Sequence, residues 1–166
     1  MQKQEAERQF EKHIREHELL LYKVCRMYAY TDVDRQDLFQ EMVIQLWKAY
    51  PKFKGDAKLS TWMYRVVINT AITGLRKKKD FITSYEPSGL PEHISDDNAG
   101  RVEEDQLLQL YKAIEQLNEI EKAIVMLYME DRSYMEMEDI LGISEGNLRV
   151  KMNRIKEKLR QLTKKH

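Results

Sequence analysis

The chain has 166 residues, 42% of them hydrophobic and 34% charged, with only six glycines and three prolines. That length holds one ordinary domain or two small ones, and a composition rich in Leu, Met, Glu, Lys and Gln favours an all-α class over any strand-rich fold. Net charge is zero by cancellation, with +6 on residues 1–79, −7 on residues 80–106 and +1 on residues 107–166, so a neutral total does not exclude a nucleic-acid partner.

In chain order, the N-terminal segment Met1-Gln-Lys-Gln-Glu-Ala-Glu-Arg8 lacks the apolar core of a signal peptide, and no apolar run in the chain nears the ~20 residues of a membrane span. A soluble, cytoplasmic protein is expected. From about Glu5 to Tyr28, Phe10, Ile14, His17, Leu21, Val24 and Met27/Tyr28 recur at helical intervals and predict a first helix. Cys25, the only cysteine, falls in this pattern and reads as a buried thiol with no disulfide partner, which suits a reducing compartment. After the turn Thr31-Asp-Val-Asp34, a second helix is expected from Arg35 to Tyr50, stopped by Pro51.

A loop from Lys52 to Leu59 follows. Ser60 or Thr61 is expected to cap a third helix that carries Trp62, Val66, Ile68/Asn69 and Ile72 and ends on Arg76-Lys77-Lys78-Lys79, where positive charge suits the helix dipole. Lys52, Lys54, Lys58, Arg65 and the Arg76–Lys79 run can neutralise phosphates, and Phe53, Trp62 and Tyr64 lie among them. Such a mixture suits single-stranded or melting DNA, where stacking contributes ~1–3 kcal/mol per base. The competing reading makes Phe53 and Trp62 core residues that hold the loop to the helix.

Residues 80–103 carry acids around Pro87, Gly89, Pro91 and Gly100, with the run Ser95-Asp-Asp-Asn98, and read as a linker between two small domains. The linker is either a solvating tether or a negative segment that shields a basic surface or imitates nucleic acid in a channel. Beyond it, Ser133–Leu159 forms two helical patterns broken by Gly142-Ile143-Ser144, a helix-turn-helix. Ser133 caps the first helix with Glu136 in capping-box position, Gly142 makes the turn, and Ser144 caps the second. On that second helix Leu148, Met152, Ile155, Leu159 and Leu162 share one stripe, leaving Asn147, Arg149, Val150, Asn153 and Arg154 outward. From Ser144 to His166 eight Lys/Arg face two acids, an imbalance that favours DNA over a merely solvated surface.

His13-Ile-Arg-Glu-His17 fits the H-x-x-E-H pattern of inverted zinc proteases, but a third ligand and a substrate cleft have no obvious source here. Two histidines on an exposed helix are the plainer reading. With no nucleophile triad or phosphate loop, neither enzyme activity, cofactor, metal nor small-molecule substrate is expected.

Asp37-Leu-Phe-Gln-Glu41, Gln45-Leu-Trp-Lys48, Phe53-Lys-Gly-Asp-Ala57 and Ser60-Thr-Trp-Met-Tyr-Arg65, with Asn69 and Arg76, together resemble region 2 of the sigma-70 family of bacterial RNA polymerase sigma factors. The C-terminal hairpin resembles region 4 of the same family, and the short connection between them resembles the extracytoplasmic-function (ECF) branch. The resemblance implies a first domain over residues 1–79, a linker over 80–103 and a second domain over 104–166. It implies that Asp37, Gln40, Glu41, Gln45 and Trp47 dock on the clamp helices of the core polymerase. It implies that the loop Lys54–Lys58 and the third helix, through Lys54, Lys58, Trp62, Arg65, Asn69, Arg76 and Lys77, capture a flipped non-template base and melt a −10-type element. Ser144, Asn147, Arg149, Val150, Asn153 and Arg154 would contact a −35-type element. The partners so implied are core RNA polymerase, promoter DNA and an anti-sigma factor, often membrane-anchored. Three positions depart from the family pattern: Leu59 where phenylalanine is frequent, Thr73 where an acid is common, and Glu138 where the two hairpin helices usually need a small residue. Two rival readings are a stand-alone DNA-binding regulator and a helical protein-interaction module.

Overall fold

The computed structural model describes residues 2–85 and 102–164; most of the expected linker lies outside the described residues. The chain divides into two compact units, Met1–Leu90 and Pro91–His166, and the described residues are helical with no strand.

The first unit contains α1 (Gln2–Glu16), α2 (Glu18–Tyr28), α3 (Asp32–Ala49), a 3-10 turn (Tyr50–Lys52) and α4 (Leu59–Tyr85). The stretch expected as one helix over 5–28 is therefore two, broken at His17 (φ −115, ψ 21). There the His17 N–H donates to both the His13 and Ile14 carbonyls (3.1 and 3.3 Å), while the His17 ring Nδ1 lies 3.0 Å from the same His13 oxygen. A side chain crowding the helical ladder is a standard cause of a kink. The break lets Phe10, the one buried residue of α1, meet Trp47 and Tyr50, while Leu20, Leu21, Val24, Cys25 and Tyr28 of α2 enter the core.

Helix α3 starts three residues before the expected Arg35. The Thr31 hydroxyl accepts the Asp34 N–H at 3.1 Å, and Asp32 and Asp34 occupy the first turn, where acids favour the dipole. Helix α4 starts at Leu59, its Trp62 N–H donating to the Lys58 carbonyl at 3.0 Å, so Ser60 and Thr61 sit inside the first turn instead of capping it. It continues through Tyr85, well past Arg76–Lys79. That basic run is thus interior to the helix, and the dipole argument for it does not apply. Met42 and Leu46 of α3 pack with Met63, Tyr64, Val67, Ile68 and Ala71 of α4 and the buried face of α2. The Cys25 thiol is in this core, where burial pushes its pKa up to about 11 against a smaller opposing pull from the Arg35 guanidinium.

The second unit contains α5 (Val102–Glu115), α6 (Glu119–Met129), α7 (Tyr134–Leu141) and α8 (Glu145–Lys164). Helix α6 opens with a complete capping box, in which the Asn118 side chain accepts the Glu121 N–H at 2.8 Å and the Glu121 carboxylate accepts the Asn118 N–H at 3.0 Å. Residues Lys122–Leu127 are buried in succession, the pattern of a helix enclosed on every side. Ser133 caps α7 by accepting the Glu136 N–H at 3.1 Å, and the Glu136 carboxylate bridges Arg132 at 3.1 Å. Gly142 closes α7 with φ +72, a left-handed conformation that suits glycine, and its N–H donates to the Glu138 carbonyl at 2.8 Å. The Glu138 side chain is exposed, so the departure at this position costs no buried charge. Ser144 then accepts the Asn147 N–H at 3.3 Å and opens α8.

Candidate nucleic-acid and protein interfaces

On α4 the residues Met63, Tyr64, Val67, Ile68 and Ala71 are buried. At ~100° per residue the opposite face carries Trp62, Arg65, Asn69 and Thr73, continued backward by Lys58; the Arg76 side chain lies outside those described. Arg65, Asn69, Thr73 and Lys58 are exposed, as are Lys54 in the preceding loop and Lys77 further along the helix. Gly55, at φ +80, lets that loop turn between its two lysines. Trp62 is half-buried. Its ring packs on Phe53 (5.0 Å between centroids) and Tyr50 (6.2 Å), yet part of it stays open to solvent.

These contacts belong to a longer series. Phe10 lies 5.0 Å from Trp47 and 5.3 Å from Tyr50, and Trp47 stacks with Tyr50 at 6.4 Å. Tyr50 therefore stands between the two tryptophans, one on α3 and one on α4.

Asp37, Gln40, Glu41 and Trp47 of α3 are exposed; Gln45 is half-buried and donates from Nε2 to the Glu41 carboxylate at 2.9 Å. The same face exposes two apolar residues that sequence reasoning missed, Val33 at 67% and Ile44 at 46%. Val33, Asp37, Gln40, Ile44 and Trp47 follow alternating steps of four and three, the seam spacing of a coiled coil. The spacing was visible in the sequence. Which of two apolar stripes on α3 would be outward was not, because Met42 and Leu46 offer an equally regular one.

On α8, Leu148, Met152 and Ile155 are buried, and Asn147, Arg149, Val150, Asn153 and Arg154 are all exposed near its N-terminus beside the capping Ser144. Arg149 is held at two points: its guanidinium carbon lies 4.7 Å from the centre of the Tyr134 ring, and Nη2 lies 3.9 Å from the Glu145 carboxylate. Tyr134 was not among the expected site residues. Its partner is in the other helix of the hairpin, so periodicity within α7 carries no trace of the contact.

The α4 face and its loop thus offer cations with a partly open indole, suited to a phosphate backbone and an unstacked base. The α8 face offers amides and guanidiniums, suited to base edges in a duplex groove. Among the described residues, no three His, Cys, Asp or Glu side chains are grouped to hold a metal, and the His13 Nδ1 is buried without a hydrogen-bond partner. No described helix is long and apolar enough to cross a membrane.

Comparison with known proteins divides the chain in the same way. Residues 13–81 match the family described as Sigma-70 region 2, and residues 107–159 match Sigma-70, region 4. The chain is 28% identical over 155 residues to the ECF RNA polymerase sigma factor SigW of Bacillus subtilis, covering 85% of this chain and 81% of that protein. It is 25% identical over 154 residues to the ECF RNA polymerase sigma factor SigM of Mycobacterium tuberculosis, covering 92% and 76%. Its fold is similar to that of the sigma factor RpoE of Bartonella quintana, solved with the anti-sigma factor NepR, with a TM-score of 0.76 at 18% identity over 94% of this chain and 97% of that one. It is also similar to CnrH, solved with the cytosolic domain of CnrY, with a TM-score of 0.66 at 18% identity over 94% and 88%.

Proposed function

Because the chain belongs to the sigma-70 family of RNA polymerase sigma factors, in its ECF branch, and so directs promoter-specific transcription initiation, we infer that its two units divide promoter recognition between unstacked and duplex DNA. A stand-alone regulator is not favoured, since such a protein has no use for a region 2 unit.

In this reading the outward face of α3 docks on the clamp helices of core polymerase. Val33, Ile44 and Trp47 bury as apolar anchors in a coiled-coil-like seam, and Asp37, Gln40, Glu41 and Gln45 meet basic or polar partners around them. The Lys54–Lys58 loop and the face of Trp62, Arg65 and Asn69 then receive a flipped non-template base. Flipping costs a few kcal/mol, which stacking on the indole and hydrogen bonds must offset, and Lys58, Arg76 and Lys77 follow the backbone. Asn147, Arg149, Val150, Asn153 and Arg154 of α8 enter the major groove of a −35-type element, with Ser144 at the helix N-terminus contacting phosphate. The acidic segment between the units tracks a channel that otherwise holds nucleic acid.

Polymerase supplies the catalysis and this chain supplies none. It works in the cytoplasm with that enzyme. An anti-sigma factor, soluble or membrane-anchored, is the regulatory partner we propose, by analogy with the complexes in which RpoE and CnrH were solved.

The observation that carries the division of labour is the contrast between two exposed basic faces, one built around a partly open indole and the other presenting amides and guanidiniums, with its one ring, Tyr134, set against Arg149. Transcription in vitro with purified core polymerase and a promoter library tests it. Specific transcripts are expected only when this protein is added, and the enriched sequences should contain two separate elements. A protein that shifts duplex DNA unaided and adds no transcripts would rule the reading out.

A further inference from the structure

Tyr134 is the first residue of α7 and Arg149 lies in the second turn of α8, yet the guanidinium sits over the phenol ring at 4.7 Å. This is within the ~6 Å over which a ring face attracts a cation. The hairpin holds the geometry from both ends: Ser133 caps α7 beside the ring, and the left-handed Gly142 sets how α7 meets α8. The guanidinium carbon thus lies over the ring face. The Glu145 carboxylate, at 3.9 Å, is too far to accept a hydrogen bond, so it orients the group without occupying its donors. The Arg149 side chain is 62% exposed, which leaves the fork accessible to a ligand.

The ligand follows from the chemistry of the fork and its neighbour. A guanidinium presents two parallel donors, and guanine is the one base whose major-groove edge presents two adjacent acceptors, O6 and N7. A phosphate would also accept the fork, but it would have to approach the Glu145 carboxylate, whose charge repels it; the neutral guanine edge meets no such repulsion. Arginine normally surrenders much rotamer freedom when it binds, and the ring removes part of that freedom beforehand.

We propose that Tyr134 is a positioning residue for promoter reading: its ring holds the Arg149 guanidinium in place so that its fork recognises a guanine in the −35-type element. The inference rests on α8 entering the major groove, and it adds both the base and the side chain that prepares the reader.

The test uses the full-length chain reassembled with core polymerase, on a promoter from the library with all four bases substituted at each −35 position. The wild type should prefer guanine at one position by on the order of tenfold. Arg149→Ala and Arg149→Lys should both abolish that preference, the lysine because it is a point charge without a fork. Tyr134→Ala should weaken it roughly threefold at that position alone, and Tyr134→Leu, which fills the space without a π face, should do the same. Tyr134→Phe should keep the preference, and Tyr134→Ala should add nothing in an Arg149→Ala background.

A loss spread evenly over all positions in the Tyr134 variants would overturn the inference and leave the ring a structural role. A sequence-independent loss in Arg149→Ala, with a shallower salt dependence, would overturn it in favour of a phosphate contact. A wild type without base preference anywhere in the element would overturn the duplex reading by α8 itself, and the inference with it.

Discussion

Trp62 of α4 and Arg149 of α8 each stand at the centre of an exposed basic face, and each is held by an aromatic ring from elsewhere in its own unit. The supports differ. Trp62 is one member of a packed series, Phe10, Trp47, Tyr50, Trp62 and Phe53, that joins the outward side of α3 to the loop before α4. Arg149 rests on a single ring, within a hairpin fixed by two serine caps and a glycine turn. The difference follows from the state of the DNA that each face is read to bind. An unstacked base offers a π surface, which needs a large ring firmly backed, whereas a stacked base pair offers only its edge, which needs donors at fixed angles. The first unit therefore gives up some exposure of its tryptophan to packing. The second keeps its aromatic underneath and exposes the charge.

The largest expected effect on this contrast comes from removing the support beneath α8. Leu148 is fully buried, and Leu148→Ala should cost ~2–5 kcal/mol from lost burial and a residual cavity. Hydrogen exchange should show the loss in α5–α8 with α1–α4 protection unchanged; an equal loss in both would break the description as two separate units. Next, Trp62→Ala should lower open-complex formation on duplex promoter DNA by the equivalent of ~1–3 kcal/mol. Permanganate footprinting reads that loss, which should be largely recovered on a premelted template while the −35 base preference stays intact. A matching drop in −35 discrimination would mean that the two faces do not act as distinct readers.

The smallest effect lies in the core of the first unit alone. Burial raises the Cys25 pKa from 9.0 to about 11, so the unfolded thiol ionises first as pH rises. The stability tied to this thiol is thus complete below about pH 9 and is lost as pH rises through about 11. Denaturant melts of wild type and Cys25→Ala across that window should converge at the alkaline end, and native-state labelling of the thiol near neutral pH should be slow. Fast labelling would mean that the α2–α4 core opens far more readily than the α6-centred core of the second unit.

The hairpin was legible almost residue by residue. Ser133, Gly142 and Ser144 act within three or four positions of themselves, and the buried stripe Leu148, Met152, Ile155 follows from helical geometry alone. The all-α class, the buried Cys25 and the exposed Asn147, Arg149, Val150, Asn153 and Arg154 rest on the same short-range logic. The ends of α3 and α4 were less legible. Thr31 and Ser60 are both acceptable caps by residue type, and only the backbone path decides that the first caps a helix and the second does not.

Local periodicity, capping chemistry and charge thus determined, without any structure, that this chain makes two helical units with a basic helix-turn-helix at its end. The break at His17, the outward turn of Val33 and Ile44, the aromatic series through Tyr50 and the pairing of Tyr134 with Arg149 were decided only by the tertiary structure. The break at His17 is made by its backbone and ring contacts to His13, which helical periodicity does not register, and the others depend on how one element lies against another, which the periodicity of neither element carries.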